Sequence, residues 1–228
     1  MAIVRKYQAV VESVTEKVPG LFTVSFSAAK PFVYNPGQFL HLALDEYDGI
    51  GQWPESRCFS MQSSPDEPHI TITFSITGRY TKRMADELHE GNEVWLKLPY
   101  GELFSQAHSL TNCVFIAGGT GITPYLSLFT DNSFANYVKP VLYFGASSKQ
   151  YNIYNKKLEK AKQINPGISI KTIYENTNGL LNIENIFNSN GTSATYFISG
   201  PPLMIKLFKY YLLSKELEES KIRTDEWE

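Results

Sequence analysis

The stretch from Cys113 to Phe129, C-V-F-I-A-G-G-T-G-I-T-P-Y-L-S-L-F, constrains the fold more than any other part of the chain. Cys113 to Ala117 is an apolar run without alternation, as in a strand covered on both faces. Glycines follow at 118, 119 and 121, then Thr123 and Pro124, then a second apolar pattern. The spacing predicts a buried strand, a tight turn and a helix start. Thr123 suits the N-cap, and Pro124 suits the first helical turn, where no N–H is needed. Glycines let backbone approach a ligand, and a helix start presents free N–H groups, so phosphate or pyrophosphate is the natural guest. The turn departs from the G-x-G-x-x-G dinucleotide fingerprint. Counted from Gly119, the third glycine position holds Pro124, and Val141 to Gly145 is followed by Ala146, Ser147, Ser148 and Lys149 rather than by an acid. The glycines by themselves leave steric packing and nucleotide binding equally open.

Beyond this turn, apolar strands alternate with helical stretches. Val141–Gly145 precedes Tyr154–Gln163, Ile168–Tyr174 follows, and Tyr196–Ser199 precedes Leu203–Ser214. That is the pattern of a parallel sheet with helices on both faces, in which ligands bind at the carboxyl ends of the strands. Ser199-Gly200-Pro201-Pro202 falls at such an end. The chain then reads as a polar helix and a short tail from Ile222 to Glu228.

Residues before about 108 read differently. Tyr7–Val14, Leu21–Phe26, Phe39–Leu44, Ile70–Ile76 and Glu93–Leu98 are strand-like, separated by turns such as Pro19-Gly20 and Asn35-Pro36-Gly37. The pattern predicts a small antiparallel barrel interrupted by one helix, Thr81–His89, ended by Gly91. Arg57-Cys58-Phe59-Ser60 offers a planar guanidinium for phosphate and, two residues on, a ring on the same side of a strand. Gly78-Arg79-Tyr80-Thr81 opens the helix and makes a second candidate anion site. The alternatives are a surface arginine beside a core phenylalanine, and a capped helix with no ligand.

A length of 228 residues fits one large domain or two small ones. Lys plus Arg total 21 against 23 Asp plus Glu, which argues against a general nucleic-acid surface. No apolar run reaches membrane-spanning length, and M-A-I-V-R-K-Y is not a signal peptide. The two cysteines, Cys58 and Cys113, form no metal cluster and cannot hold a four-cysteine iron–sulfur centre. A cytoplasmic protein with reduced thiols is expected.

Taken in order, the motifs resemble those of the ferredoxin–NADP reductase-like flavoprotein superfamily, over nearly the whole chain. Pro36-Gly37-Gln38-Phe39 resembles the family's P-G-Q-[FY], Arg57-Cys58-Phe59-Ser60 its R-x-[YF]-S flavin motif, and Gly78 to Thr81 its G-x-x-[ST] phosphate turn. Leu98-Pro99-Tyr100-Gly101 is similar to the segment that closes the flavin domain. Gly118-Gly119-Thr120-Gly121-Ile122-Thr123-Pro124 is similar to the G-G-x-G-I-[TA]-P nicotinamide motif, and Ser199-Gly200-Pro201-Pro202 to C-G-P-P. The resemblance implies a two-domain fold: an antiparallel flavin-binding β-barrel over residues 1–108 and a nicotinamide-binding α/β parallel-sheet domain over 109–228. Arg57 and Thr81 would hold flavin phosphates, with Cys58, Gly78 and Tyr80 in the same motifs. Phe59 would lie against the isoalloxazine and Ser60 near its N5. Gly119, Gly121 and Thr123 would cradle the dinucleotide together with Gly118, Thr120, Pro124, Ser147, Tyr174, Gly200 and Pro201.

The implied reaction is hydride transfer from NADH or NADPH to bound FAD (FMN being the lesser candidate), then electrons to a redox protein or small-molecule acceptor. Ser60, Ser199 and Trp227 are the candidate catalytic residues, the indole being expected to stack on the flavin face. Tyr174-Glu175, where NADPH-selective relatives place an arginine before the glutamate, points to NADH. Two departures from the family pattern stand out. Phe59 replaces the commoner tyrosine. Ser199 replaces the cysteine of C-G-P, which predicts a slower hydride step. They also keep open a rival reading, a flavin- or nucleotide-binding regulatory module without efficient turnover.

Overall fold

The computed structural model describes residues 3–225. Six antiparallel strands form the first sheet: β1 (Arg5–Val18), β2 (Leu21–Ala28), β3 (Phe39–Ala43), β4 (Ser56–Ser60), β5 (Ile70–Ser75) and β6 (Glu93–Tyr100), in the order β4-β3-β6-β1-β2-β5. The two edges meet just past Ser60, where Gln62 N–H donates to the Thr71 carbonyl (2.7 Å) and Thr71 N–H to Ser63 Oγ (3.0 Å), so the sheet curls into a barrel. Alternate residues fill its interior: Val24 and Phe26 of β2, Leu40 and Leu42 of β3, Ile70 and Ile72 of β5, Leu96 and Leu98 of β6. Burial of each of these side chains stabilises the fold by about 1.5–3 kcal/mol before chain entropy is counted.

One helix, α1 (Arg79–Glu87), closes an end of the barrel by burying Tyr80 and Met84. The sequence pattern placed this helix from Thr81 to His89. It begins two residues earlier because Gly78 is the N-cap, and the Thr81 hydroxyl accepts from the N–H groups of Thr77 (2.9 Å) and Gly78 (3.1 Å).

The second sheet is parallel: β7 (Cys113–Gly118), β8 (Val141–Ala146), β9 (Ser169–Tyr174), β10 (Thr195–Ser199) and β11 (Ile222–Thr224), in the order β11-β10-β7-β8-β9. Cys113, Phe115 and Ala117 of β7 face the layer made by α2 (Thr123–Phe129) and α3 (Asn155–Ile164). Val114 and Ile116 face the opposite layer, where α5 (Ile183–Asn190) and α6 (Pro202–Ser214) pack; α4 (Glu175–Asn178) is a single turn after β9. Burial on both faces is why β7 reads as an unbroken apolar run. The expected polar helix before the tail is a correction. Glu219–Lys221 is one 3₁₀ turn, and Ile222–Thr224 adds a fifth strand to the sheet. Three residues carry too little periodicity to mark a strand, and pairing with β10 decides the matter.

Hydrogen bonds join the two sheets along α2: Ser127 Oγ donates to the Ser63 carbonyl at 2.7 Å, and Ser64 Oγ to Asp131 at 3.1 Å.

Candidate functional site

The sites grow from strand ends. Ser60 closes β4 and Ser199 closes β10, and both side chains are buried. Asp225 follows β11 directly, its N–H donating to the Ile198 carbonyl at 3.0 Å. Its Oδ2 accepts from Ser199 Oγ at 3.1 Å and from Ser60 Oγ at 3.3 Å. One buried carboxylate thus ties a barrel strand to the parallel sheet. Such charge-assisted hydrogen bonds are worth about 1.5–3 kcal/mol each, which fixes both hydroxyls in orientation. The sequence pointed to both serines but gave Asp225 no role. Its only signal was its position in the tail with Ile222 and Trp227.

The glycine turn lies beside Ser199. Gly119–Ile122 forms a 3₁₀ turn that runs straight into α2, so the N-cap expected at Thr123 falls on Ile122, and Thr123 Oγ donates to the Thr120 carbonyl at 2.9 Å. Pro124 sits in the first helical turn. The glycines divide by task. A Cβ on Gly121 would lie 2.5 Å from Gly200 N, Gly200 Cα and Ser199 C, so this position is shaped by backbone packing. Gly119, with φ +56°, has nothing within 4 Å of its would-be Cβ and opens into a groove.

That groove, about 670 Å³, runs along the carboxyl ends of the parallel strands. Gly118, Gly119, Thr120, Ser147, Glu175 and Pro201 line it, and Leu180, Leu203 and Leu207 form an apolar wall. Gly121, Thr123, Pro124, Tyr174 and Gly200 are not among its lining residues. Thr123 and Pro124 are buried, and the Tyr174 hydroxyl accepts from Asn152 Nδ2 at 3.3 Å. Tyr154 also lines the groove, and its buried hydroxyl has no hydrogen-bond partner among the described residues. A buried hydroxyl left unpaired costs about 1–3 kcal/mol.

The family model of the oxidoreductase NAD-binding domain matches residues 115–209. The chain is 22% identical over 98% of its length to the phenol hydroxylase P5 protein of Acinetobacter pittii, of which it covers 66%. It is 36% identical, over 60% of its length and 38% of the relative's, to the glycine betaine monooxygenase reductase subunit of Pseudomonas aeruginosa. In sequence, as in its motifs, the chain thus resembles reductases of the ferredoxin–NADP reductase-like superfamily. The fold agrees. A ferredoxin NADP+ reductase from Neisseria gonorrhoeae, solved with bound FAD and NADP, superposes with a TM-score of 0.79 at 17% identity, covering 99% of both chains. The chain thus spans about two-fifths to two-thirds of the length of these curated relatives.

The two candidate phosphate motifs of the barrel come together. Arg57 of β4 and Arg79 of α1 each place Nη2 3.0 Å from the carboxylate of Glu55, and the Arg57 guanidinium lies 4.9 Å from the centre of the Tyr80 ring. Tyr80 donates to the carbonyls of Leu42 (2.6 Å) and Glu55 (3.3 Å), which anchors the seat from below. Burial pushes the Tyr80 phenol well above its ordinary range, so it stays a donor. Two arginines converging on one anion are a donor set suited to a phosphate. Neither Arg79 nor Glu55 was singled out from the sequence, although Arg79 lies inside the G-R-Y-T motif.

Phe59 is buried in the barrel core against Phe74, 6.1 Å between ring centres. Cys58 points to the other face of β4, its sulfur 3.6–3.7 Å from the ring nitrogens of His41. Burial pushes its thiol up; Arg57 pulls it back and the Asp225 charge adds to the rise. Trp227 lies outside the described residues.

Proposed function

We propose that this chain is an NAD(P)H-dependent flavoprotein reductase that passes electrons from nicotinamide through bound FAD to a redox protein or small-molecule acceptor. Residues 1–108 would be the flavin unit and 109–228 the nicotinamide unit. The observation that carries the reading is Asp225 gathering the hydroxyls of Ser60 and Ser199 at the junction of the sheets, beside the glycine turn. A flavin supplies the chemistry, taking up two electrons as hydride and passing them on singly. The chain's own part is binding, orientation and exclusion of water.

Arg57, Arg79 and the start of α1 suit the flavin phosphates. Gly119 and Thr120 offer open backbone to the dinucleotide. Asp225 fixes the two serine hydroxyls and holds a charge or proton between them, where burial keeps bulk water away. The relatives' printed names, reductase components of oxygenase systems, support an acceptor of that kind. The lining of the groove carries Glu175 and no lysine or arginine, which favours NADH. Two free cysteines suit the reducing cytoplasm. No described helix is long and apolar enough to cross a membrane.

The test is to mix purified, flavin-loaded protein with NADH without oxygen. Loss of the flavin absorption band within seconds is expected. A band that persists for minutes overturns the enzyme reading in favour of a nucleotide-binding module.

A further inference from the structure

The arginines that would meet a flavin phosphate already meet an anion. Glu55 Oε1 lies 3.0 Å from Arg57 Nη2 and 3.0 Å from Arg79 Nη2, and Glu55 Oε2 is 3.0 Å from the same Arg79 nitrogen. Its backbone is held by the Tyr80 hydroxyl, itself bonded to the Leu42 carbonyl, so the carboxylate is delivered to this place rather than passing through it. The seat opens onto a crease of about 400 Å³ along α1, lined by Glu55, Arg79, Tyr80, Lys82, Arg83 and Glu87 among others. The remaining charges of the crease are paired among themselves or with the loop before β4: Lys82 with Asp86, and Arg83 with Asp45 and Glu87.

We propose that Glu55 is a resident counter-anion in the flavin-phosphate seat, which a flavin must displace in order to bind. The inference rests on the flavin reading above and adds a residue that tunes it. Displacement exchanges one anion for another on Arg57 and Arg79. Binding therefore gains less than two free arginines would give, and the count of neutralised charges barely changes. Two consequences follow: affinity is lowered, and its dependence on salt is flattened. The side chains of Glu55, Arg57 and Arg79 are 38, 51 and 86% exposed, so each ion pair is weak, and breaking both costs about two- to tenfold in affinity.

The experiment titrates FAD into flavin-free protein and follows the quenching of flavin fluorescence at low and at high salt. The parent, Glu55→Gln and Glu87→Gln are compared. Glu87 lies in the same crease but is paired with Arg83, so it reports the general effect of one fewer negative charge. Glu55→Gln should bind FAD about two- to tenfold more tightly at low salt and lose affinity more steeply as salt rises. Equal affinities for the parent and Glu55→Gln overturn the proposal. So does an equal gain in Glu87→Gln. Failure of all three proteins to bind FAD overturns the flavin reading itself, and the proposal falls with it. Binding by the parent with no change in Glu55→Gln overturns the proposal alone.

Discussion

Gly121→Ala is the sharpest probe of how the glycine turn works. The added methyl would lie 2.5 Å from three backbone atoms, Gly200 N, Gly200 Cα and Ser199 C. Backbone cannot swing aside as a flexible side chain can. Carbon atoms settle near 3.5–4.0 Å, so the Ser199–Gly200 segment must retreat by about 1 Å. Ser199 Oγ then moves from 3.1 Å to beyond hydrogen-bond reach of Asp225. Overpacking costs about 1–3 kcal/mol, and a donor lost from a buried carboxylate about 1–3 more. A total near 3 kcal/mol lowers the melting temperature of a chain this size by roughly 6–12 °C. Gly119→Ala is the comparison. Its φ of +56° costs about 1–2 kcal/mol, but the methyl meets nothing within 4 Å. Thermal melts followed by circular dichroism should rank the parent above Gly119→Ala and Gly119→Ala above Gly121→Ala. A Gly121→Ala melt within about 2 °C of the parent would refute the backbone-to-backbone packing.

Other outcomes follow from the same structure. Asp225→Asn keeps the shape and an acceptor but loses the charge; flavin reduction by NADH should slow about ten- to hundredfold while the melting temperature falls by only a few degrees, and an unaltered rate would remove Asp225 from the reaction. Glu175→Gln should raise kcat/KM for NADPH relative to NADH, since it removes the acid from the groove lining; no change in the ratio would place the ribose end of the dinucleotide elsewhere. Burial pushes the Cys113 thiol up to about 12 from an ordinary 9.0, so the unfolded chain loses this proton first as pH rises. Stability from this group is complete below pH 9 and falls between 9 and 12, by up to about 1.4 kcal/mol per pH unit. The buried tyrosines join the decline from about pH 10. Cys113→Ala should flatten the first part of the fall, and identical stability curves against pH would exclude the thiol as its source.

Much of this was legible in the chain, for physical reasons. The alternation of Ile70 to Ser75 and the unbroken apolar run of β7 mark strands covered on one face and on two. Glycine and proline placed most turns. The illegible features depend on residues distant in sequence. Nothing local says that Gly121 is pressed against Gly200, or that Thr123 follows a 3₁₀ turn and so cannot cap. Glu55 stands two residues before the arginine motif, and its part emerges only once α1 brings Arg79 alongside. The three residues of β11 become a strand only because β10 offers an open edge. The helix α5, I-E-N-I-F-N-S-N, is rich in asparagine and buries only Ile186, so its periodicity is faint.

The Ser60–Asp225 contact joins residues 165 apart in the chain, and the acid hangs from a three-residue strand at the edge of its sheet. Closing so long a loop is slow, and a short edge strand opens easily. The junction should therefore be the last part of the molecule to assemble on refolding and the first to come undone. Exchange of the Asp225 amide proton would then outpace that of β7, and mild denaturant would silence the protein while the hydrophobic cores were still intact.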